Sequence, residues 1–474
     1  MGSCQSARRY QPEIAGNEPP MTSIAQQLRA AGVTRVLGRQ DSGYTQATAG
    51  FDTAVTITPD LVVVADTAAD VASAVSAAAD HDERLTVIGS GHGRLADVAG
   101  GIAVAMPRLG SVEVDPGAGL ARIGAGATWE PVLAATAPHG LAPLCGSAPG
   151  VGVAGYLLGG GLGPLARTYG FSADRVRSID IVTPAGGPLT VTDDSHPDLF
   201  WALRGGKSGF GVVTAVTVGL LPLTTVYGGG VYFDGADALE VLATFAQWSP
   251  ALPESSTASI ALLRLPAVDT LPEPIRGRVV VHLRFTSIDT STDAEHQLGT
   301  IRGAATPLLD TIGPLPYTKI GTVHGDPTGP MPVANGSKTL AVLDEDTVRA
   351  LLAVVGPNTE APLSSVEIRT LGGAVTQPAA APNAVGGRSC AHLLNVYAAA
   401  NPALGDADRL AAVRSALGSV APWHAPTQLI NFVGRGNHHD DVIGSWTRAQ
   451  NDRLDAIRRT CDPAGLIPFG SHGN

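Results

Sequence analysis

Leu85-Thr86-Val87-Ile88-Gly89-Ser90-Gly91-His92-Gly93 is the stretch on which the reading of this chain turns. A short apolar strand, Leu85 to Ile88, runs into three glycines that surround one histidine. Glycine lets backbone approach a ligand closely and adopt conformations that a side chain forbids. Upstream, Leu61 to Val64 reads as a buried strand and Thr67 to Ala79 as a helix. Thr67 sits at the N-cap with Asp70 three residues on, a capping-box-like start. Strand, helix and strand form a β-α-β unit that delivers the chain to His92. A second glycine-rich run lies downstream, Gly150-Val151-Gly152-Val153-Ala154-Gly155-Tyr156-Leu157-Leu158-Gly159-Gly160-Gly161-Leu162-Gly163. The two runs together imply a large phosphate-bearing cofactor with a histidine beside its reactive part.

Composition narrows the classes. A chain of 474 residues, 44% hydrophobic and only 15% charged, is a packed multidomain protein rather than a disordered one. A formal net charge of -11 argues against nucleic acid or an anionic membrane as partner, because both call for a basic face. Cys4, Cys145, Cys390 and Cys461 are widely spaced, which disfavours a disulfide framework and a structural zinc site. No apolar run is long enough to span a bilayer. Residues 1–20 read as a disordered extension. Met1-Gly2-Ser3-Cys4-Gln5-Ser6 matches an N-myristoylation pattern, but a chance match ahead of a start at Met21 is the better reading, and Arg8-Arg9 has no apolar segment after it. The Ala/Gly/Pro-rich, aromatic-poor style fits a high-GC bacterial gene, and the expected compartment is the cytoplasm.

Further strands are expected at Ile102 to Met106, in a hairpin of Ser111 to Val114 with Leu120 to Ile123, and at Val176 to Val182, Leu189 to Val191 and Gly211 to Leu221. Helices are expected from Thr128 to Ala137 and from Pro197 to Leu203. From Val226 the pattern changes. Strands at Tyr227 to Phe233, Ala258 to Leu265, Val279 to Phe285, Val366 to Leu371 and His392 to Ala398 alternate with amphipathic helices at Ala236 to Trp248, Thr292 to Ile301, Asp344 to Val355 and Asp406 to Leu417. That is an antiparallel sheet covered by helices. A last helix is expected over Ile443 to Arg459, stopped by Asp462-Pro463.

Gly150-x-Gly152-x-x-Gly155 is a literal GxGxxG, with Asp174 at about the spacing of a ribose-binding acid. The dinucleotide fingerprint needs a strand before it and a helix after it. Pro143 and Pro149 spoil the strand and Gly159-Gly160-Gly161 spoils the helix, so an extended loop lining a flat ring or a phosphate is expected instead. His438-His439-Asp440-Asp441 reads as a solvated loop rather than a metal cluster, and no metal is expected. No serine stands in a GxSxG setting.

In combination these segments resemble the FAD-linked oxidases of the p-cresol methylhydroxylase (vanillyl-alcohol oxidase) fold, in the berberine-bridge-enzyme-like branch. The resemblance runs over about residues 50–474. It rests on Leu85 to Gly93, on Gly146-Ser147-Ala148-Pro149-Gly150 through Gly163, on Asp198-Leu199-Phe200-Trp201-Ala202-Leu203-Arg204-Gly205-Gly206-Lys207-Ser208-Gly209-Phe210-Gly211-Val212-Val213-Thr214, and on Asn431-Phe432. It implies an α+β protein with a two-subdomain PCMH-type FAD-binding domain (residues 21–224), a substrate domain with an antiparallel sheet covered by helices (225–425), and a terminal segment returning to the FAD domain (426–474). It implies FAD as cofactor, bonded through its 8α-methyl to His92. Ile88, Gly89, Ser90, Gly91 and Gly93 would hold the pyrophosphate. Gly146, Ser147, Gly150, Gly152, Val153, Gly155, Tyr156, Gly159, Gly160 and Gly163 would lie along the ring and ribityl chain, with Gly211, Val213 and Asn431 completing the site.

Three departures matter. Ala148 stands where doubly linked members have cysteine, and Cys145 lies three residues upstream, so one link through His92 is expected. Leu429-Ile430 precede Asn431, so the tyrosine that serves many members as base is missing. The tail, Phe469-Gly470-Ser471-His472-Gly473-Asn474, departs from the usual run. The implied reaction is hydride removal from a small organic molecule (a natural product, alcohol or sugar) to the flavin, with O2 as acceptor, by a monomer or homodimer. A dehydrogenase with another acceptor and a degenerate flavin-binding paralogue stand as alternatives. Arg369 and His324 are the candidate catalytic residues, with Tyr156 and Tyr397 behind them. Arg369 is equally read as a positive group near the flavin N1/C2 carbonyl, or as a simple partner of Glu367.

Overall fold

A computed structural model describes residues 21–398 and 404–469. The expectations for residues 1–20 and for the tail beyond Phe469 lie outside the described residues.

Leu61–Val64, Ile102–Ala105 and Leu85–Ile88 form a parallel sheet with Ile102–Ala105 in the middle, and Val36–Gly38 adds an antiparallel edge. All four residues of Leu61–Val64 are buried, as expected of a parallel strand covered on both faces. The crossover helix is Ala68–Asp80. Thr67 Oγ1 accepts from the Asp70 N–H at 3.2 Å and Asp70 Oδ2 accepts from the Thr67 N–H at 2.9 Å, so two donors at this helix end are satisfied reciprocally. Its Val71, Ala74, Val75 and Ala78 pack on the sheet. Beside it stands a five-stranded antiparallel sheet in the order Gly187–Val191, Val176–Thr183, Val212–Gly219, Leu120–Gly124, Val112–Asp115.

The largest sheet has eight antiparallel strands. Its path runs Pro307–Asp310, Thr225–Asp234, Val279–Ser287, Ser256–Arg264, Ser365–Thr370, His392–Ala398, Ala334–Leu340, with Gly313–Pro316 also on Thr225–Asp234. Side chains alternate faces along a strand. Ile260, Leu262, Val281, Leu283, Phe285, Val366, Ile368, Leu394 and Val396 point to one face. There they bury Phe245, Leu298, Leu351 and Val413 from the helices Ala238–Trp248, Ser291–Arg302, Glu345–Val355 and Asp406–Ser419. The residues between them, including Arg284, Glu367, Arg369, Asn395 and Tyr397, fall on the other face.

Three expectations need correction. The run after Gly152 is not wholly loop: Val153–Leu158 is a short helix. Val153, Ala154 and Leu157 are buried in the first core, and the glycine triplet ends the helix rather than preventing it, with Gly160 and Gly161 at φ +103° and +75°. The terminal helix is split into His439–Ile443 and Arg448–Cys461, because Thr447 starts a new capping box with Gln450. Finally, Ala334–Leu340 is a strand that its polar composition hid. It is an edge, and the Asn437 amide accepts from Ser337 N–H and donates to Ser337 O, standing in for the next strand. The terminal segment packs against the first core through Trp446, Leu454, Ile457 and Cys461.

Candidate active site

The two glycine-rich runs and the free face of the large sheet enclose one cavity of about 1340 Å³. That exceeds the roughly 300–1,000 Å³ of a usual single-ligand pocket. On one wall, strand Leu85–Ile88 ends at the loop Gly89 to Gly93. Phe51 N–H bonds Ser90 O at 2.9 Å and Asp52 N–H bonds Gly91 O at 3.3 Å, which anchors the loop's carbonyls. Among the described residues, the N–H groups of Ser90 to Gly93 find no acceptor, so they remain for a ligand. Gly91 (φ +81°) has to be without a side chain, since a Cβ there would stand 2.7 Å from Gly50 Cα. Nothing lies within 4 Å of the Cβ positions of Gly89, Gly93 and Gly155, which leaves a bare backbone cradle. Such a nest suits phosphate oxygens.

His92 is clamped in this wall. Its ring stacks on Phe51 with centroids 4.0 Å apart, and its Nδ1 lies 3.0 Å from Ser90 Oγ, which also accepts from Gly152 N–H at 3.1 Å. Burial lowers its pKa to about 4, against a smaller opposing pull from Asp326. The imidazole is therefore neutral at pH 7, with a lone pair free to form a bond. Further along, Lys207 Nζ donates to Asn431 Oδ1 at 2.6 Å and Gly155 O at 3.2 Å, and Asn431 Nδ2 donates to Tyr156 O at 2.8 Å. Burial lowers the Lys207 pKa to about 8, and Lys207 holds a positive φ of 68° without being glycine.

The opposite wall is charged. Glu367 Oε1 accepts from Arg284 Nη1 at 2.6 Å and Ser259 Oγ at 2.8 Å, while Oε2 accepts from Arg369 Nε at 2.9 Å. His324 Nε2 stands 3.4 Å from the same carboxylate, and Arg284 Nε donates to His282 Nδ1 at 3.2 Å. Burial pushes the Glu367 carboxyl up, but Arg369, Arg284 and His324 outweigh it and hold it well below the usual range. Burial, aided by Arg284, keeps His282 and His324 neutral. Buried His324 Nδ1 and Asn395 Oδ1 have no partner among the described residues.

Ile88, Gly89, Ser90, Gly91, His92, Gly93, Gly146, Ser147, Gly152, Gly155, Tyr156, Gly211, Val213, Asn431, His324 and Arg369 all line this cavity. Five expected contacts are not among the residues lining it. Gly150 is set off it, Val153 faces the core, Gly159 makes room for Asn431, Gly160 packs on Val385, and Gly163 lies against Cys145 O. Cys145 is buried beside the Tyr317 hydroxyl, 3.6 Å away, and is not on the wall. Asp441 of the His-His-Asp-Asp run bonds Lys338 and Asn437. Lys207, Arg284 and Asn395 were not singled out by sequence. The signal for Arg284 was present in Val281-His282-Leu283-Arg284-Phe285, polar residues alternating through an apolar strand. No described helix is long and apolar enough to cross a membrane.

The wall fits FAD: a bare cradle of N–H groups, a clamped neutral histidine, and room beyond it. Residues 59–192 match the model of the FAD binding domain family. Over 174 residues the chain is 41% identical to an FAD-dependent monooxygenase of Fusarium proliferatum, covering 36% of this chain and 34% of that protein. Over 303 residues it is 29% identical to (R)-6-hydroxynicotine oxidase of Paenarthrobacter nicotinovorans, covering 61% of this chain and 63% of that protein. The matches thus span from about a third to under two thirds of these curated relatives. Among solved structures, glucooligosaccharide oxidase from Acremonium strictum, described with a 6-S-cysteinyl, 8α-N1-histidyl FAD, superposes with a TM-score of 0.80 at 19% identity over 94% of this chain and 97% of that one. At that identity the likeness is one of fold.

Proposed function

Because this chain carries an FAD-binding domain within the fold of the PCMH-type oxidases, we propose that it is an FAD-dependent oxidase of a small organic substrate, with His92 as the single covalent anchor of the flavin. The carrying observation is the one cavity shared by a glycine cradle and a charged sheet face. When bound, FAD supplies the hydride acceptor and returns the electrons to O2.

The residues divide the remaining work. Ser90 and Phe51 orient the His92 ring, and its lowered pKa keeps it an unprotonated nucleophile. Ala148 supplies no second sulfur, and Cys145 is turned into the core. Lys207 and Asn431 brace the helix that carries Tyr156. With Leu429 at the place of the missing tyrosine, the proton acceptor is His324, neutral through burial and held beside Glu367. Arg369 contributes a fixed positive charge to the same wall. The domain lines at 224 and 425, and a bacterial, cytoplasmic setting, belong to this proposal.

The test is anaerobic mixing of yellow purified protein with a panel of alcohols, amines and phenolic natural products. Bleaching by one of them, with colour and hydrogen peroxide returning in air, is the expected result. Protein without flavin, or reduced flavin that air does not reoxidise, would refute the oxidase reading.

A further inference from the structure

We propose that Arg369 docks an anionic oxygen of the substrate, a carboxylate or a phenolate, and so selects acidic organic molecules. The proposal rests on the flavin-oxidase reading above.

The argument begins with the guanidinium itself. Arg369 gives its Nε to Glu367 Oε2 at 2.9 Å, and among the described residues neither Nη meets an acceptor. Its side chain is 12% exposed, and it lines the cavity. Phe432 lies beneath the guanidinium, 5.2 Å from plane carbon to ring centroid, and also lines the cavity. Pairing with Glu367 on one edge and Phe432 beneath fixes the plane, so the outer edge is a rigid fork. Such a fork matches the two oxygens of a carboxylate or the single oxygen of a phenolate.

The charges point the same way. One carboxylate, Glu367, directly contacts two guanidiniums, Arg284 and Arg369, at 2.6 and 2.9 Å. His282 and His324, which complete the cluster, are held neutral by burial. Asp326, the other carboxylate of this wall, acts on Arg369 only through space, since its Oδ2 is taken by Ser147 Oγ at 2.8 Å. Two guanidiniums thus share one contacting carboxylate, and the anions that favour the charge of Arg369, Glu367 and the more distant Asp326, leave its outer edge without a contacting acceptor among the described residues. An incoming anion gives that edge a charge-assisted pair, whereas a neutral sugar or alcohol offers only the weaker neutral acceptor.

The test uses the holoprotein, its flavin content first confirmed by absorbance, so that a failure of the cofactor reading is seen separately. Benzoate, 4-nitrophenolate at a pH where it is ionised, and neutral benzyl alcohol are titrated while the flavin spectrum is followed. The expected result is saturable binding of at least one anion, about tenfold or more tighter than benzyl alcohol. Arg369→Met should weaken that anion about tenfold or more, and Arg369→Lys should recover part of the loss. Which anion binds separates carboxylate from phenolate recognition. Absence of binding by both anions overturns the proposal, as does equal binding of benzyl alcohol. Unchanged anion binding in Arg369→Met, with altered sulfite addition to the flavin, would place the arginine against the cofactor instead. Should Arg369→Met not retain flavin, Arg369→Lys decides: full retention of anion binding and of selectivity overturns the bidentate fork.

Discussion

The two walls of the cavity are built on opposite principles. On the cradle side, backbone does the work: glycines whose side chains would collide or intrude, free N–H groups, and a histidine kept neutral. On the sheet side, side chains do it: a buried carboxylate between two arginines, with neutral histidines around them. The cradle suits a cofactor whose shape does not vary. The charged face can be rewritten residue by residue without moving the backbone, which is where a fold shared by enzymes on unlike substrates keeps its specificity.

Mutations should separate the two walls. Glu367→Ala leaves Arg284 and Arg369 buried without their anion, and removing one partner of a buried pair costs about 3–5 kcal/mol. Urea unfolding should show that loss, while the flavin bound by the cradle is retained. Loss of flavin with unchanged stability would break the distinction. Gly159→Ala works from the other side. Its methyl collides with the Asn431 carboxamide, which Lys207 and Tyr156 hold in place. A cost of about 1–3 kcal/mol is expected, with weakened flavin retention as the readout and anion binding by the sheet less affected.

Lys207 sharpens the contrast through pH. Its folded pKa, about 8, lies below its ordinary value of 10.5. Burying the ammonium therefore destabilises the fold below pH 8, and the penalty fades as pH rises from 8 towards 10.5. The unfolding midpoint of wild type should rise relative to Lys207→Met across that window, and parallel curves would contradict it. The smallest effect is expected at Thr67→Ala, which removes one cap of the crossover helix for about 1 kcal/mol and leaves both walls intact.

The same contrast explains what the sequence disclosed. Leu61–Val64, the Thr67 cap, Leu85–Ile88 and the helix Pro197–Leu203 were legible because local pattern and tertiary role agree there. His92 was legible because glycine clustering is itself a backbone signal. The helix Val153–Leu158 was hidden because glycine propensity is overridden by packing of Val153 and Leu157. Ala334–Leu340 was hidden because its partner at the edge is an asparagine side chain 100 residues on. Arg284 and Lys207 were hidden because their roles depend on which strands are neighbours and on a contact with Asn431 across 224 residues.

The most direct test is denaturation of the purified protein followed by fluorescence of the flavin on a denaturing gel. A single anchor at His92 predicts fluorescence that migrates with the wild-type chain and is lost from His92→Ala, which should still bind the flavin reversibly. Flavin released from wild type, or fluorescence that stays with His92→Ala, would contradict the account.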